Sequence, residues 1–107
     1  YDWSIDMNKL IGAMMVVALS AAGSQVIAAG DAAAGKAKAA TCSGCHGANG
    51  VSSNDLWPNL AGQKAGYLTK QIKAFRDGQR SDPMMSSMVK SLSDQDAENL
   101  GAYFSGL

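Results

Sequence analysis

The pentapeptide Cys42-Ser43-Gly44-Cys45-His46 is the stretch around which this 107-residue chain must fold. Its two thiols are three positions apart, and an imidazole directly follows the second one. These are the only two cysteines of the chain, and His46 is its only histidine. In a C-x-x-C-H pattern each thiol can form a thioether to one porphyrin, and the adjacent imidazole is placed to ligate the iron. The pattern therefore predicts one haem c, bound covalently through Cys42 and Cys45.

Three other interpretations of the pentapeptide fit less well. A zinc site needs four ligands, and the chain offers two thiolates and one imidazole, so a carboxylate would have to complete it. A thioredoxin-like dithiol requires a βαβ setting, whereas this sequence has no alternating strand pattern. A disulfide across two intervening residues would be strained and would leave His46 without a role. Haem attachment is the interpretation that uses all three side chains.

The second axial ligand of such a haem is not fixed by the pentapeptide. Because His46 is the only histidine, ligation by two histidines is excluded. The sixth position must be taken by a methionine, a lysine or the terminal amine, or else it is open. A methionine thioether raises the haem potential and is typical of electron-transfer cytochromes. The downstream candidates are Met84, Met85 and Met88, and at least two of them must be packing residues.

Residues 7–28 have the three parts of a secretory signal peptide, namely a short basic start, an apolar stretch and a small polar end. We expect cleavage after Ala28, and we interpret residues 1–6 as extraneous. The alternative is an uncleaved membrane anchor over residues 10–29, which has about the length of one spanning helix but contains glycine, serine and glutamine in its second half. The signal predicts export to the periplasm, where attachment of haem c is expected.

Residues 29–107 are predicted to form one domain of helices and loops. Formal net charge is zero, so composition indicates neither a nucleic-acid partner nor an anionic membrane surface. The clearest amphipathic pattern covers residues 64–77, and residues 47–62 have the composition of a long loop. Helix-start signals lie at Asp31 and Ser93. Small residues at Gly35 and Gly101 predict that the first and last helices cross closely.

The segment from Ala29 to Leu107 resembles a class I c-type cytochrome of the small bacterial kind. It is most similar to one half of the dihaem cytochrome c4 family, and to monohaem c5 and c-553-like proteins. Cytochrome c4 has two such units, and this chain has one. The resemblance rests on these stretches: Gly30-Asp31-Ala32-Ala33-Ala34-Gly35, Cys42-Ser43-Gly44-Cys45-His46-Gly47, Pro58-Asn59-Leu60-Ala61-Gly62-Gln63, Tyr67-Leu68, Met85-Ser86-Ser87-Met88, Leu92-Ser93-Asp94-Gln95-Asp96 and Ala102-Tyr103-Phe104.

The resemblance implies an all-α cytochrome c fold, with three main helices, a short helix and loops wrapped around one covalent haem. It also implies the roles of two residues outside the pentapeptide. The axial methionine opens the M-x-x-M element before the last helix, which is Met85 here. The carbonyl of Pro58 accepts a hydrogen bond from the second ring nitrogen of His46.

The function that follows is that of a monomeric periplasmic single-electron carrier, not an enzyme, in a respiratory or related chain. Its expected partners are redox proteins: a donor dehydrogenase or bc1-type complex, and an acceptor oxidase or reductase. Two alternatives use the same motif. One is a haem subunit of a larger redox complex. The other is a ligand-binding or peroxidase-like haem protein with a labile sixth ligand.

Overall fold

A computed structural model of the chain describes residues 30–107; residues 1–6 and the predicted signal segment 7–28 lie outside that part. Within residues 30–107 the secondary structure is helical and contains no strand, which confirms the predicted all-α class. In this same range, no helix is long and apolar enough to cross a membrane. Residues 30–107 contain five α-helices: α1 Ala32–Lys38, α2 Ser43–His46, α3 Ala65–Asp77, α4 Pro83–Met88 and α5 Asp94–Ser105. A 3₁₀ turn, Ala39–Thr41, joins α1 to α2.

Both predicted helix starts have the expected caps. The Asp31 carboxylate accepts hydrogen bonds from the Ala33 and Ala34 amides at the start of α1. At the start of α5, the Ser93 hydroxyl accepts from the Asp96 amide at 3.0 Å, and the Asp96 carboxylate accepts from the Ser93 amide at 3.0 Å. These two reciprocal hydrogen bonds form a capping box. The hydrogen bond that the Asp96 carboxylate accepts from the Ser93 amide lowers the pKa of Asp96.

Helices α1 and α5 cross at Gly35, as the small residues there predicted. A Cβ at position 35 would lie only 2.0 Å from the Asn99 carbonyl oxygen and 2.9 Å from the Tyr103 Cβ. The same crossing is joined by a hydrogen bond of 2.8 Å from the Asp31 amide to the Asn99 side chain, which is buried. Backbone contact at this distance tolerates no side chain, so Gly35 fixes how α1 lies on α5.

Gly101 serves a different crossing from the one predicted for it. A Cβ there would lie 2.5 Å from the Thr69 hydroxyl and 2.7 Å from the Ala65 carbonyl oxygen, both on α3. The expectation that Gly101 helps α1 approach α5 is therefore wrong. The reason is helical geometry: Asn99 and Tyr103 are four residues apart on one face of α5, and a residue between them points elsewhere. Two glycines thus allow two helices to approach α5 closely: Gly35 serves the crossing with α1, and Gly101 serves the crossing with α3.

The core lies where these helices meet, and it forms one wall of the site described below. It consists of Ala39, Leu68, Leu100 and Phe104, each no more than 5% exposed. Burial of large aliphatic and aromatic side chains is the main favourable term in folding. Because Cys42 packs against this cluster, the core holds the pentapeptide directly.

Candidate haem site

The pentapeptide begins directly after the 3₁₀ turn with Cys42, the N-cap residue of α2, and its other four residues form the single turn of that helix. The His46 amide donates to the Cys42 carbonyl at 2.9 Å, which winds the five residues into a compact turn. Cys42 and Cys45 are unpaired, half-buried thiols, and both line the same cavity. Burial, and to a smaller extent the neighbouring Cys45, raise the pKa of the Cys42 thiol, with an opposing contribution from Thr41. The neutral thiol is therefore the favoured form of Cys42.

His46 is buried, and its ring is oriented by one hydrogen bond. Its Nδ1 lies 2.7 Å from the carbonyl oxygen of Pro58. Because a carbonyl can only accept, Nδ1 carries the ring proton and Nε2 keeps a free lone pair. Within residues 30–107 the ring makes no other hydrogen bond, and His46 lines the cavity. The ring is thus held in the tautomer that can ligate a metal through Nε2.

The loop that supplies the Pro58 carbonyl is fastened on both sides. The Ser52 amide donates to the Asn59 side chain at 2.7 Å, and the Gln63 side chain donates to the Asn59 carbonyl. Further along, the Gly62 amide donates to the Phe104 carbonyl of α5 at 2.9 Å. The long predicted loop is therefore ordered by its own polar side chains, and it carries the partner of His46.

The cavity in front of the pentapeptide has a volume of about 660 Å³, within the range of cofactor and ligand pockets. Its walls come from the pentapeptide, the loop after it, and helices α3, α4 and α5. Most of the lining is apolar; among its larger members are Leu56, Trp57, Leu60, Leu68, Ile72, Phe75, Val89, Leu92, Leu100 and Phe104. A flat, mostly apolar ligand suits such a cavity.

All three candidate methionines line the cavity, but they differ in exposure. Met84 is 53% exposed and Met88 is 49% exposed, whereas Met85 is half-buried. Thioether sulfur is a soft ligand that suits iron in a haem. Met85 is the least exposed of the three, which agrees with the ligand position implied by the resemblance.

Among the residues that the structure describes, only three charged ones line the cavity: Lys38, Arg80 and Asp82. The Arg80 guanidinium lies 4.4 Å from the centre of the Phe75 ring and donates to Gln71 at 2.9 Å. Within the described part of the chain, it forms no salt bridge. A guanidinium at the cavity wall with no carboxylate partner is suited to the acidic groups that a haem carries.

The zinc alternative lacks ligands in this arrangement. Across residues 30–107, no three side chains among His, Cys, Asp and Glu converge in a group that could hold a metal ion. No carboxylate therefore completes a tetrahedral site with the pentapeptide. Two thiols, an imidazole Nε2, thioether sulfurs and an apolar cavity instead form a set that fits an iron porphyrin.

The cavity is also lined by Arg80, Gln71 and Asp82, none of which was predicted from the sequence as a site residue. One signal was available for Asp82. An aspartate directly before a proline is typical of a helix N-cap followed by proline at the first helical position. Arg80 and Gln71 are nine residues apart, and no local pattern predicts that their side chains meet.

Comparison with known proteins agrees with this site. The cytochrome c family model matches residues 32–107. The chain is 47% identical to cytochrome c4 of Pseudomonas aeruginosa over 92% of its length and 48% of that protein. It is also 49% identical to cytochrome c-554(548) of Halomonas halodenitrificans, over 72% of this chain and 96% of that protein.

A solved structure gives the same result for the fold. The cytochrome c4 of Acidithiobacillus ferrooxidans superposes with a TM-score of 0.70 and 30% identity, covering 78% of this chain and 54% of that one. The chain thus spans about half the length of the cytochromes c4 that it matches. It belongs to the cytochrome c family of electron-transfer haem proteins, and its described part is a class I c-type domain resembling one half of cytochrome c4.

Proposed function

We propose that this chain carries single electrons on one haem c, bound through Cys42 and Cys45 and ligated by His46 and Met85. The observation that carries the proposal is the bond of 2.7 Å between His46 Nδ1 and the Pro58 carbonyl, because it leaves Nε2 free at an apolar cavity that Met85 also lines. When bound, the haem supplies an iron that alternates between the ferric and ferrous states.

The chain's own residues tune and protect that chemistry. The Pro58 carbonyl fixes the orientation of the His46 ring and increases its basicity, as acceptors behind metal-bound histidines do. The neutral, soft sulfur of Met85 favours the ferrous state and so raises the potential. The apolar walls disfavour water in the cavity. Their low polarity also raises the potential, because burial disfavours the extra positive charge of the ferric form.

We further propose that the protein acts in the periplasm, with residues 7–28 as its export signal and residues 29–107 as its cytochrome domain. Its partners would then be a donor dehydrogenase or bc1-type complex and an acceptor oxidase or reductase. Support comes from the signal-like sequence, the C-x-x-C-H motif and the similarity to cytochromes c4. If His46 and Met85 both ligate the iron, no coordination position would be left for a substrate, as expected of a carrier.

Carbon monoxide tests the carrier against the ligand-binding alternative. We expect the reduced protein to bind carbon monoxide slowly at neutral pH, because the Met85 sulfur must first leave the iron. The measurement is stopped-flow mixing of the reduced protein with carbon monoxide, followed by absorbance. Immediate binding at the rate of an open site would instead support the ligand-binding or peroxidase-like alternative.

The cavity wall includes residues from two uncharged surface segments. Residues 42–54 and 83–89 contain no Lys, Arg, Asp or Glu, and they include Cys42, Cys45 and all three cavity methionines. Several apolar side chains near them are well exposed, among them Leu56 at 86%. We propose this surface as the place of electron exchange. Attraction between opposite charges would then contribute little to docking.

Electron self-exchange between reduced and oxidised molecules of this protein should therefore depend weakly on salt. Raising the ionic strength from about 0.01 to 0.15 M shortens the screening length from about 30 to 8 Å. We expect the self-exchange rate, measured by NMR line broadening, to change less than about twofold over this range.

Leu56→Glu is the matched variant, since it adds a charge at the most exposed apolar residue of the cavity rim. The two rims would then repel each other, so self-exchange should be slower at low salt and should recover as salt is added. A steep salt dependence in the unmodified protein would contradict the uncharged docking surface.

A further inference from the structure

The short helix that carries Met85 is fixed at its N-terminus by one side chain. Asp82 has extended backbone angles, and its carboxylate accepts from the amides of Met84 and Met85 at 2.9 Å each. In return, the Asp82 amide donates to the Ser86 hydroxyl at 3.2 Å. Pro83 follows as the first helical residue, where its fixed φ suits a helix and its missing N–H costs nothing.

This cap matters more for α4 than a cap does for a longer helix. α4 has six residues, and none of them is buried. A helix of this length is unstable on its own, and packing normally compensates for that. At the C-terminal end of α4, the buried Val89 donates its amide to the Met85 carbonyl at 3.1 Å. At the other end, the Asp82 carboxylate holds the Met85 amide directly.

We propose that Asp82 is a positioning residue for Met85: its cap holds the backbone of Met85 in place and so limits how often the sulfur leaves the iron. This inference rests on the proposed role of Met85 as axial ligand. The relevant property of Asp82 is the acceptor oxygen of its side chain, which asparagine also has. Asparagine caps helices about as well as aspartate, whereas alanine does not cap them.

The test compares three variants by the rate at which carbon monoxide binds to the reduced protein. Asp82→Ala removes the cap and the charge, and Asp82→Asn removes the charge alone. Ser93→Ala removes a cap of the same kind from α5, away from Met85. We expect about fivefold faster binding for Asp82→Ala, the effect of losing one typical cap. Asp82→Asn and Ser93→Ala should stay within about twofold of the unmodified protein, although Ser93→Ala lowers the melting temperature.

Three results would overturn the inference. The first is an unchanged rate of carbon monoxide binding in Asp82→Ala. The second is an acceleration in Asp82→Asn equal to that in Asp82→Ala, which would point to the charge and not the cap. The third is an equal acceleration in Ser93→Ala, which would point to global stability. The absorption spectrum of the oxidised, unmodified protein distinguishes a failure of this inference from a failure of the proposed function. If its oxidised form lacks the methionine-to-iron charge-transfer band, the assignment of Met85 fails and the inference falls with it. If the band is present and Met85→Ala abolishes it, the role of Met85 holds and the three variants test Asp82 alone.

Discussion

Replacing Met85 with alanine is expected to abolish the methionine-to-iron charge-transfer band of the oxidised protein and to lower the midpoint potential by something on the order of 0.1 V. Alanine offers no sulfur, so the sixth position becomes open or is taken by water. Water stabilises ferric iron better than a thioether does, and the potential therefore falls. Absorption spectra of the oxidised variant and a redox titration measure the two effects.

Met84→Ala is the matched control, because Met84 is the adjacent residue in the same short helix and has the same side chain. Met84 is 53% exposed, whereas Met85 is half-buried, and we expect this control to keep both the band and the potential. If Met84→Ala loses the band while Met85→Ala keeps it, the ligand has been assigned to the wrong methionine.

Replacing Gly35 with alanine should destabilise the fold by about 3 kcal/mol, at the upper end of the cost of overpacking. The new methyl group would lie 2.0 Å from the Asn99 carbonyl oxygen, and that oxygen is backbone that cannot rotate away. Helices α1 and α5 must then separate, although the higher helix propensity of alanine offsets about 1 kcal/mol of the loss. In a domain of this size the melting temperature should fall by roughly 10 to 20 °C, as measured by circular dichroism of the haem-loaded protein.

Gly66→Ala is the control for Gly35→Ala. Gly66 also lies in a helix, but a Cβ there has no neighbour within 4 Å. The same substitution should leave stability unchanged or raise it by up to about 1 kcal/mol. If Gly66→Ala lost as much stability as Gly35→Ala, the loss would be common to helical glycines and would not be caused by the crossing with α5.

Features governed by neighbouring residues could be predicted from the sequence. The caps at Asp31 and Ser93 depend on hydrogen bonds across two or three residues. Both caps are present in the structure at the positions that the residue types predicted. The prediction that His46 ligates the iron rests on its place beside two thiols and on the absence of any other histidine. Such features require no knowledge of how distant segments pack.

Features that depend on distant contacts were predicted only in part, the crossing of α1 and α5 at Gly35 being among those that were. Gly101 was assigned to the wrong neighbour, because a small residue indicates a close approach without showing which helix approaches. Arg80 reaches the cavity through contacts with Phe75 and Gln71 of α3. The choice of Met85 over its neighbours came from resemblance, since all three methionines are chemically equal in the sequence.

Covalent attachment of one haem to this chain underlies every role proposed for it, and the mass of the unfolded protein shows whether that attachment exists. The protein is exported from a bacterial host, denatured in acidic organic solvent and measured by mass spectrometry before and after proteolysis. We expect one added haem per chain, located on the peptide that contains Cys42 and Cys45. A polypeptide of bare mass whose two cysteines react as free thiols would contradict it.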